Sequence, residues 1–508
     1  GYDALEDNTT GQSNTAIGSL ALKDNTTADN NTAVGYAALH TNTTGTKNTA
    51  IGQAALYYNT TGSRNTGLGQ GSVNANTTAD DNTGVGHYAL TANTVGANNT
   101  AVGSKSLDAN TTASNNTAIG YNALTATQTG HSNTAVGSGS LPAVTGDGNT
   151  ALGKSSGNGI TTGGYNTAIG MNTLYNNNCV SNTAVGHSCL GWSSGTKNTA
   201  VGHSAGEAVT TGQQNTVVGQ AALAGATTAN YNTAVGTTAL NSNNANYNTA
   251  VGYESSKVIT TGHSNTSVGA ASLHSGTTGD GNTSVGYTSM YWRTTGSYNT
   301  AVGHEAGRGA SSSQPATGDG NTTIGRGAGE DLRSGSNNLL LGREAGKHAS
   351  PSGTVSTDSN RICFGNNDIT DAFIKVSITA TSDRRDKTDI TDFTHGLSWI
   401  NKLRPVTYRW DMRTSYDNEI PDGSKKEERI NIGLIAQEEL EVEKEHGFAN
   451  NKNDMLITTE NSDGNYGMHY ERLVPILVNA VKELKKENDD LKTLIKGSSS
   501  FANLKSSL

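Results

Sequence analysis

Charge, proline, large apolar side chains and cysteine are all scarce in this 508-residue chain, and each shortage excludes something. Charged residues make up 15%, apolar residues 33% and aromatics 5%, against roughly 25% charged and 45–50% apolar in ordinary globular proteins. Length alone would accommodate about three ordinary domains, but the side chains to fill three cores are missing. With six prolines and little charge, the composition is not that of a long disordered chain either. No apolar run approaches the roughly 18 residues of a membrane-spanning helix, so no membrane insertion is expected. The N-terminal Gly1-Tyr2-Asp3-Ala4-Leu5 has no basic-then-apolar leader. Without an initiator Met, and with a pattern already under way, the chain reads as a fragment or processed product. Three cysteines, Cys179, Cys189 and Cys363, are an odd count for a disulfide framework. A net charge of −9 without basic clusters argues against nucleic acid as a partner. Glycine, at 63 residues, is what the chain has in excess. That leaves a fold whose backbone repeats itself around a thin core.

The repeat is explicit. Asn-Thr, a small residue, an aliphatic residue and Gly recur from Asn14, Asn31, Asn48 and Asn65 through Asn299, in steps of 16 or 17 residues. Asn321 and Asn338 extend the series, and Asn360-Arg361-Ile362-Cys363-Phe364-Gly365 is a degenerate last copy, giving 20 clear copies plus one. Within a copy the Thr-Ala-Val stretch is short and β-prone. The Gly that ends it permits a left-handed turn or a close approach of neighbouring backbone. Each copy holds about two apolar anchors, too few to bury a face alone, so copies must stack and Asn and Thr can form ladders along the stack. The expected fold is mainly β, a parallel β-solenoid or β-roll of about 21 coils. At about 4.8 Å per coil it would make a rod about 100 Å long.

One thin coil still leaves an apolar side exposed, which three chains wound about one axis would hide. The repeats are similar to the head repeats of trimeric adhesins and of phage tail fibres, whose Asn-x-Ala-Val/Ile-Gly units form stacked parallel coils, usually with a unit shorter than 17 residues. The resemblance implies a homotrimer.

Composition breaks sharply near residues 376–382. Residues 1–381 hold 35 charged residues and residues 382–508 hold 42, while Gly falls from 56 to 7. The expected organisation is a solenoid over 1–365, a connector over 366–381, a small α+β domain over 382–469, a helix over 470–497 and a tail over 498–508. Leu403 to Tyr408 reads as an extended stretch after Pro405, and Asn431 to Glu438 as a buried strand entering a helix. From Tyr470 the chain turns helical, with Pro475 tolerable in the first turn. Val474, Leu477, Val481, Leu484, Asn488, Leu491 and Ile495 are spaced 3, 4, 3, 4, 3, 4, a heptad with a and d filled. Two readings stay open: an amphipathic helix on a globular face, or a short parallel coiled coil. In the second, Asn488 at an a position sets the register among Leu477, Leu484 and Leu491.

At the composition break stands Thr381-Ser382-Asp383-Arg384-Arg385-Asp386-Lys387-Thr388-Asp389-Ile390. With Leu403-Arg404-Pro405-Val406-Thr407-Tyr408, Gly433 to Glu438 and Tyr470 to Ala480, it resembles the C-terminal intramolecular chaperone auto-processing domain of phage tail spikes and fibres. That family opens Ser-Asp-x-Arg-x-Lys-x-x-Ile, which positions 382–390 match; Asp386 stands where many relatives carry an apolar residue. The resemblance implies a domain that trimerises, templates the fibre, cleaves the chain between Thr381 and Ser382, and departs. It implies Ser382 as nucleophile and Lys387 as general base, with Asp383, Arg384 and Arg385 in support. A Ser hydroxyl needs a base, and Lys serves only when burial or nearby cations leave it neutral. A spacing of five residues does not by itself show that the two side chains meet.

Weaker signals each have a plain alternative. His87, His187, His203 and His304 follow the repeat Gly and would ring a threefold axis around an ion, or simply be exposed polar positions. Asp147, Asp280 and Asp319 lie in Gly-Asp-Gly-Asn-like turns that lack the carboxylate number of a calcium loop. Cys179 and Cys189 read as small buried residues, and no metal site or cofactor is called for. Trp192, Trp292 and the repeated Tyr residues either stack on sugars or pack between coils. The leading expectation is therefore a virion tail fibre, folded in the host cytoplasm. It would bind a host-surface glycan or protein receptor and join other tail or baseplate proteins. A glycan-degrading tailspike would need paired carboxylates that the repeats lack. A bacterial trimeric surface adhesin would bring membrane-barrel strands that are not seen.

Overall fold

The computed structural model describes residues 1–176, 178–348, 350–461 and 464–497, so the tail expected over 498–508 lies outside the described residues. It divides into two units, one of residues 1–327 with 333–338, the other of residues 328–332 with 339 onward. No helix among the described residues is long and apolar enough to cross a membrane.

Each sequence copy becomes one coil. Twenty-one strands of three residues, β1 (Thr15–Ile17) to β21 (Ile362–Phe364), follow the repeat Asn. Through the first unit each strand pairs in parallel with the next copy in identical register, Thr on Thr and middle residue on middle residue, as in Thr15↔Thr32 and Ala16↔Ala33. In β3 (Thr49–Ile51) the middle Ala50 is fully buried, while Thr49 and Ile51 face outward. The buried layer is thus Ala from the strands and Leu from the turns, including Leu39, Leu56, Leu90 and Leu107. Each buried Leu contributes about 2 kcal/mol, so stability comes from the number of coils.

Glycine is obligatory at the strand end for both reasons the sequence suggests. Gly52 has φ +133°, and a Cβ there would lie 2.6 Å from the carbonyl of Gly69 in the next coil. More surprising are the non-glycine residues in the left-handed region: Lys47, Ala54 and Leu56 have φ of 60°, 54° and 53°. Such conformations cost about 1 kcal/mol each. Hydrogen bonds between coils hold them: Ala54 N–H donates to Tyr36 O in the coil before (2.9 Å), and Leu56 N–H to Ser72 O in the coil after (3.0 Å).

Asparagine forms the expected ladder, and it is buried. Asn65 N–H donates to Asn48 Oδ1 (2.9 Å), while Asn48 Nδ2 donates to Gly62 O (2.8 Å). The pattern continues to Asn338, which donates its N–H to Asn321 Oδ1 (3.0 Å). A second ladder, side chain to side chain, runs from Asn8 through Asn25, Asn42, Asn59, Asn76 and Asn93 to Asn110.

The second unit opens with β20 (Leu339–Leu341) and β21 in parallel, over a small cluster of Leu332, Leu340, Val355 and Cys363. After the composition break come α1 (Leu397–Ile400), β22 (Val406–Tyr408), β23 (Asn431–Gly433), α2 (Ala436–Glu445), β24 (Thr458–Glu460), β25 (Tyr466–Met468) and α3 (Leu473–Gly497). Strands β22 and β23 pair antiparallel, as do β24 and β25. Their core gathers Trp399, Val442, Ile457, Leu473 and Ile476. One expectation fails: the strand at 431–433 is not buried, and Ile432 is 78% exposed. A two-stranded ribbon has no second layer over its outward face, so an apolar run does not imply burial there.

Candidate functional site

A single 3-10 turn brings Ser382 and Lys387 together. Asp383 caps Arg384–Asp386 by accepting the Arg385 N–H on Oδ1 (2.9 Å), and the turn closes with Lys387 N–H on Arg384 O (3.2 Å). This folds the five-residue spacing back on itself, so that Lys387 Nζ lies 2.6 Å from Ser382 Oγ. The supporting residues divide. Arg385 forms an ion pair with Asp383 (2.7 Å) and holds that carboxyl below the usual carboxylate range. Its charge is therefore engaged with Asp383 rather than with Lys387. Thr381, Ser382, Arg384 and Lys387 are all exposed. The geometry of a nucleophile and base is present, but the single chain does not provide the desolvation that makes a lysine a base.

α3 has two apolar faces. Leu473, Ile476 and Ala480 pack inward. The heptad points elsewhere: Leu477 is 47% exposed, Leu484 52% and Leu491 39%, with Asn488 exposed among them. The face that packs on the module is thus not the heptad face. The helix is anchored to residues 393–397, where Leu397 N–H donates to Glu483 Oε2 (2.6 Å) and Asn479 Nδ2 to Phe393 O (2.5 Å).

Two acids that no motif singles out lie inside this module. Glu443 accepts three backbone N–H groups, from Leu456, Ile457 and Thr458 (2.7, 3.0 and 2.6 Å). Glu439 accepts the indole N–H of Trp399 (2.9 Å), its second oxygen finds no partner among the described residues, and burial pushes its carboxyl up to about 7. Both sit on α2 at i and i+4, a spacing readable from sequence, but burial of two acids is not what acidic side chains on a helix normally indicate. A cleft of about 850 Å³ in this unit is lined by Trp410, Arg413, Arg429 and Tyr466 among others and includes neither Ser382 nor Lys387.

The solenoid's own candidates are turn residues. Asp147, Asp280 and Asp319 each accept a backbone N–H from the preceding coil, of His131, His263 and Ser297, at 2.7 Å. His187 and His203 stack on each other, centroids 5.1 Å apart. Cys179 and Cys189 are buried, their thiols pushed up to about 11 and about 12 by desolvation. Among the described residues no group of three His, Cys, Asp or Glu side chains is arranged to hold a metal ion.

Residues 382–448 match the peptidase family described as the chaperone of endosialidase. The match begins at Ser382 itself and runs past the end of α2, leaving β24, β25 and α3 beyond it. No curated protein matches the chain. No solved structure matches it either. A chaperone-type module of a self-cleaving, serine-type family, following a parallel β-solenoid, fits a tail fibre or tail spike with a C-terminal chaperone domain.

Proposed function

We propose that this chain is a tail-fibre subunit that assembles as a homotrimer and recognises a host-cell surface, and that residues 382–508 guide assembly and are then released. The fibre joins a virion through other tail or baseplate proteins after folding in the host cytoplasm. The single observation carrying the reaction is the 2.6 Å approach of Lys387 Nζ to Ser382 Oγ.

The step is acyl transfer followed by hydrolysis. Ser382 Oγ attacks the Thr381 carbonyl carbon as Lys387 takes the hydroxyl proton. The Thr381–Ser382 peptide bond breaks, the proton passes to the departing Ser382 amine, and Thr381 is left as an ester on Oγ. Water then cleaves the ester, giving a Thr381 carboxylate and a new N-terminal Ser382. The bond is cut once per chain, so this is a single-turnover reaction.

Two features support three copies. The third residue of many strands, including Ile51, Leu68, Ile119 and Leu152, forms an aliphatic row 38–47% exposed along the sheet, and α3 holds its heptad face open. Both surfaces are self-complementary in parallel register. Packing of neighbouring copies around Lys387 would supply the desolvation that one chain lacks, making cleavage a consequence of assembly. Cleavage after assembly removes the aligned nucleus and makes unfolding slow. The test is expression of full-length chain with gel analysis and N-terminal sequencing. A 127-residue fragment beginning at Ser382, absent from Ser382→Ala, is the expected result; an uncut wild type or a different new terminus overturns the reading.

A further inference from the structure

Features imposed by the repeat recur in nearly every coil. One cluster instead recurs twice. The position after the turn Leu, or its equivalent, carries Lys23, His40 and Tyr57 in three successive coils, and again Lys257, His274 and Tyr291, fourteen coils later. The backbone bonds that stack the two columns are the same: Asp24 N–H to His40 O and Thr41 N–H to Tyr57 O in one, Val258 N–H to His274 O and Ser275 N–H to Tyr291 O in the other, at 3.0 and 3.1 Å in both. Elsewhere in this row stand Asn74, Thr91, Asp108, Thr125 and Pro142, so the coil geometry does not require the set.

The side chains match as closely. His40 stacks on Tyr57 at 4.9 Å and 13°, His274 on Tyr291 at 4.7 Å and 8°. Each Tyr then meets the edge of a following ring, Tyr58 at 4.6 Å and 72°, or Trp292 at 4.5 Å and 82°. A carboxylate faces each imidazole: Asp24 at 3.6 Å from His40, Glu254 at 3.7 Å from His274. Each lysine is also paired, Lys23 with Glu6 (3.4 Å) and Lys257 with Glu254 (2.7 Å). Tyr58 is 53% exposed and Trp292 half-buried. At Trp292 the spacing from Asn299 to Asn321 stretches to 22 residues, and the inserted loop leaves and returns on Trp292 itself, through Arg308 O (2.7 Å) and Ala316 N–H (3.0 Å).

We infer that these two columns are equivalent binding sites for uncharged hexopyranose units of a surface polysaccharide. This deepens the host-surface reading above and rests on it. An outward aromatic ring beside an imidazole, an ammonium and a carboxylate offers an apolar platform with directional donors and acceptors, the arrangement that a sugar ring with one apolar face and rim hydroxyls fits. Charge selects against acidic sugars. Lys257 is balanced by Glu254, and Lys23 is outweighed by Glu6 and Asp24. Fourteen coils at about 4.8 Å place the columns about 70 Å apart, so one long polymer can occupy both and gain avidity.

The experiment measures binding of the full chain to immobilised neutral glucan, mannan and galactan, with sialylated and phosphorylated polymers alongside. Wild type is expected on at least one neutral polymer. Tyr58→Ala and Trp292→Ala each weaken it about tenfold, their combination removes it, and Trp292→Phe restores most of it. Unchanged thermal unfolding keeps the variants comparable. Binding unaltered by the double substitution, preference for the charged polymers, or no binding to any neutral polymer overturns the inference. Release of the 127-residue fragment is scored in the same preparations. A chain that releases the fragment but binds no neutral polymer removes these sites and leaves the fibre reading standing, whereas a wild type that never releases it removes the fibre reading whatever it binds.

Discussion

In a solenoid coil, Asn215 uses both ends of its amide on other coils: Oδ1 accepts the Asn232 N–H (3.0 Å) and Nδ2 donates to Ala229 O (2.8 Å). In the C-terminal module, Lys387 and Ser382 use theirs on each other, in full contact with solvent. The solenoid's asparagine ladder satisfies its amides between coils, while aliphatic side chains of the strands face outside. The module buries two carboxylates and leaves both the Ser382–Lys387 pair and the heptad of α3 outside. Periodicity explains the difference: a coil always finds an identical coil above and below, so a polar ladder closes on itself, whereas a single 127-residue module has no copy of itself within the chain.

The largest effect should come from breaking the module's dependence on company. Leu477→Asp with Leu484→Asp places carboxylates in the middle of the heptad without touching Leu473, Ile476 or Ala480, the face that packs inward. Sedimentation should show loss of trimer, and release of the 127-residue fragment should fall by at least about a hundredfold, since an unassembled Lys387 stays solvated. Cleavage at the wild-type rate in a monomeric variant would place the whole reaction within one chain.

Next is the solenoid's dependence on its own coils. Asn215→Ala leaves the Asn232 N–H and the Ala229 carbonyl buried without partners, a loss of about 4 kcal/mol per chain. Substituting Gln213, an exposed residue two positions before it, should change stability by less than about 0.5 kcal/mol. Thermal unfolding of the two variants separates them. Equal midpoints would mean that the ladder does not carry the stability assigned to it.

The solenoid was open to sequence reasoning because a periodic pattern reports contacts directly: what recurs every 17 residues stacks, and Gly at the strand end, Asn before it and the small middle residue each follow from that. The left-handed Ala54 and Leu56 were not legible, since propensity alone disfavours them and only hydrogen bonds between coils hold them there. In the module, motif order located Ser382 and Lys387, but not that Asp383 makes the turn joining them, nor that Arg385 is held by Asp383. The reading of 431–433 as a buried strand failed because hydrophobicity cannot tell a covered strand from a ribbon with one open face. Trp399, Glu439 and Glu443 were missed because their contacts are non-periodic, spanning 40 residues in the case of Trp399 and Glu439.

The smallest effect, and the one that most sharpens the contrast, is a pH dependence confined to the module. Glu439 accepts the indole N–H of Trp399, whose ring stacks on His446 at 4.6 Å, with His395 4.9 Å from that imidazole and Glu443 one helical turn along. Burial, aided by the Glu443 charge and opposed by the Trp399 hydrogen bond, raises the Glu439 carboxyl from an ordinary 4.5 to about 7. The unfolded chain therefore releases this proton first. Stability from Glu439 is fully present below pH 4.5 and is lost as pH rises to about 7, by about 3 kcal/mol over the interval. Hydrogen exchange of the α2 amides in uncleaved Ser382→Ala chain should show that loss, and Glu439→Gln, which keeps a group able to accept the indole N–H without ionising, should flatten it. The solenoid amides, whose ladders are neutral amides, should show no matching slope. A slope in α2 that survives Glu439→Gln would take the titration away from Glu439 and overturn the assignment.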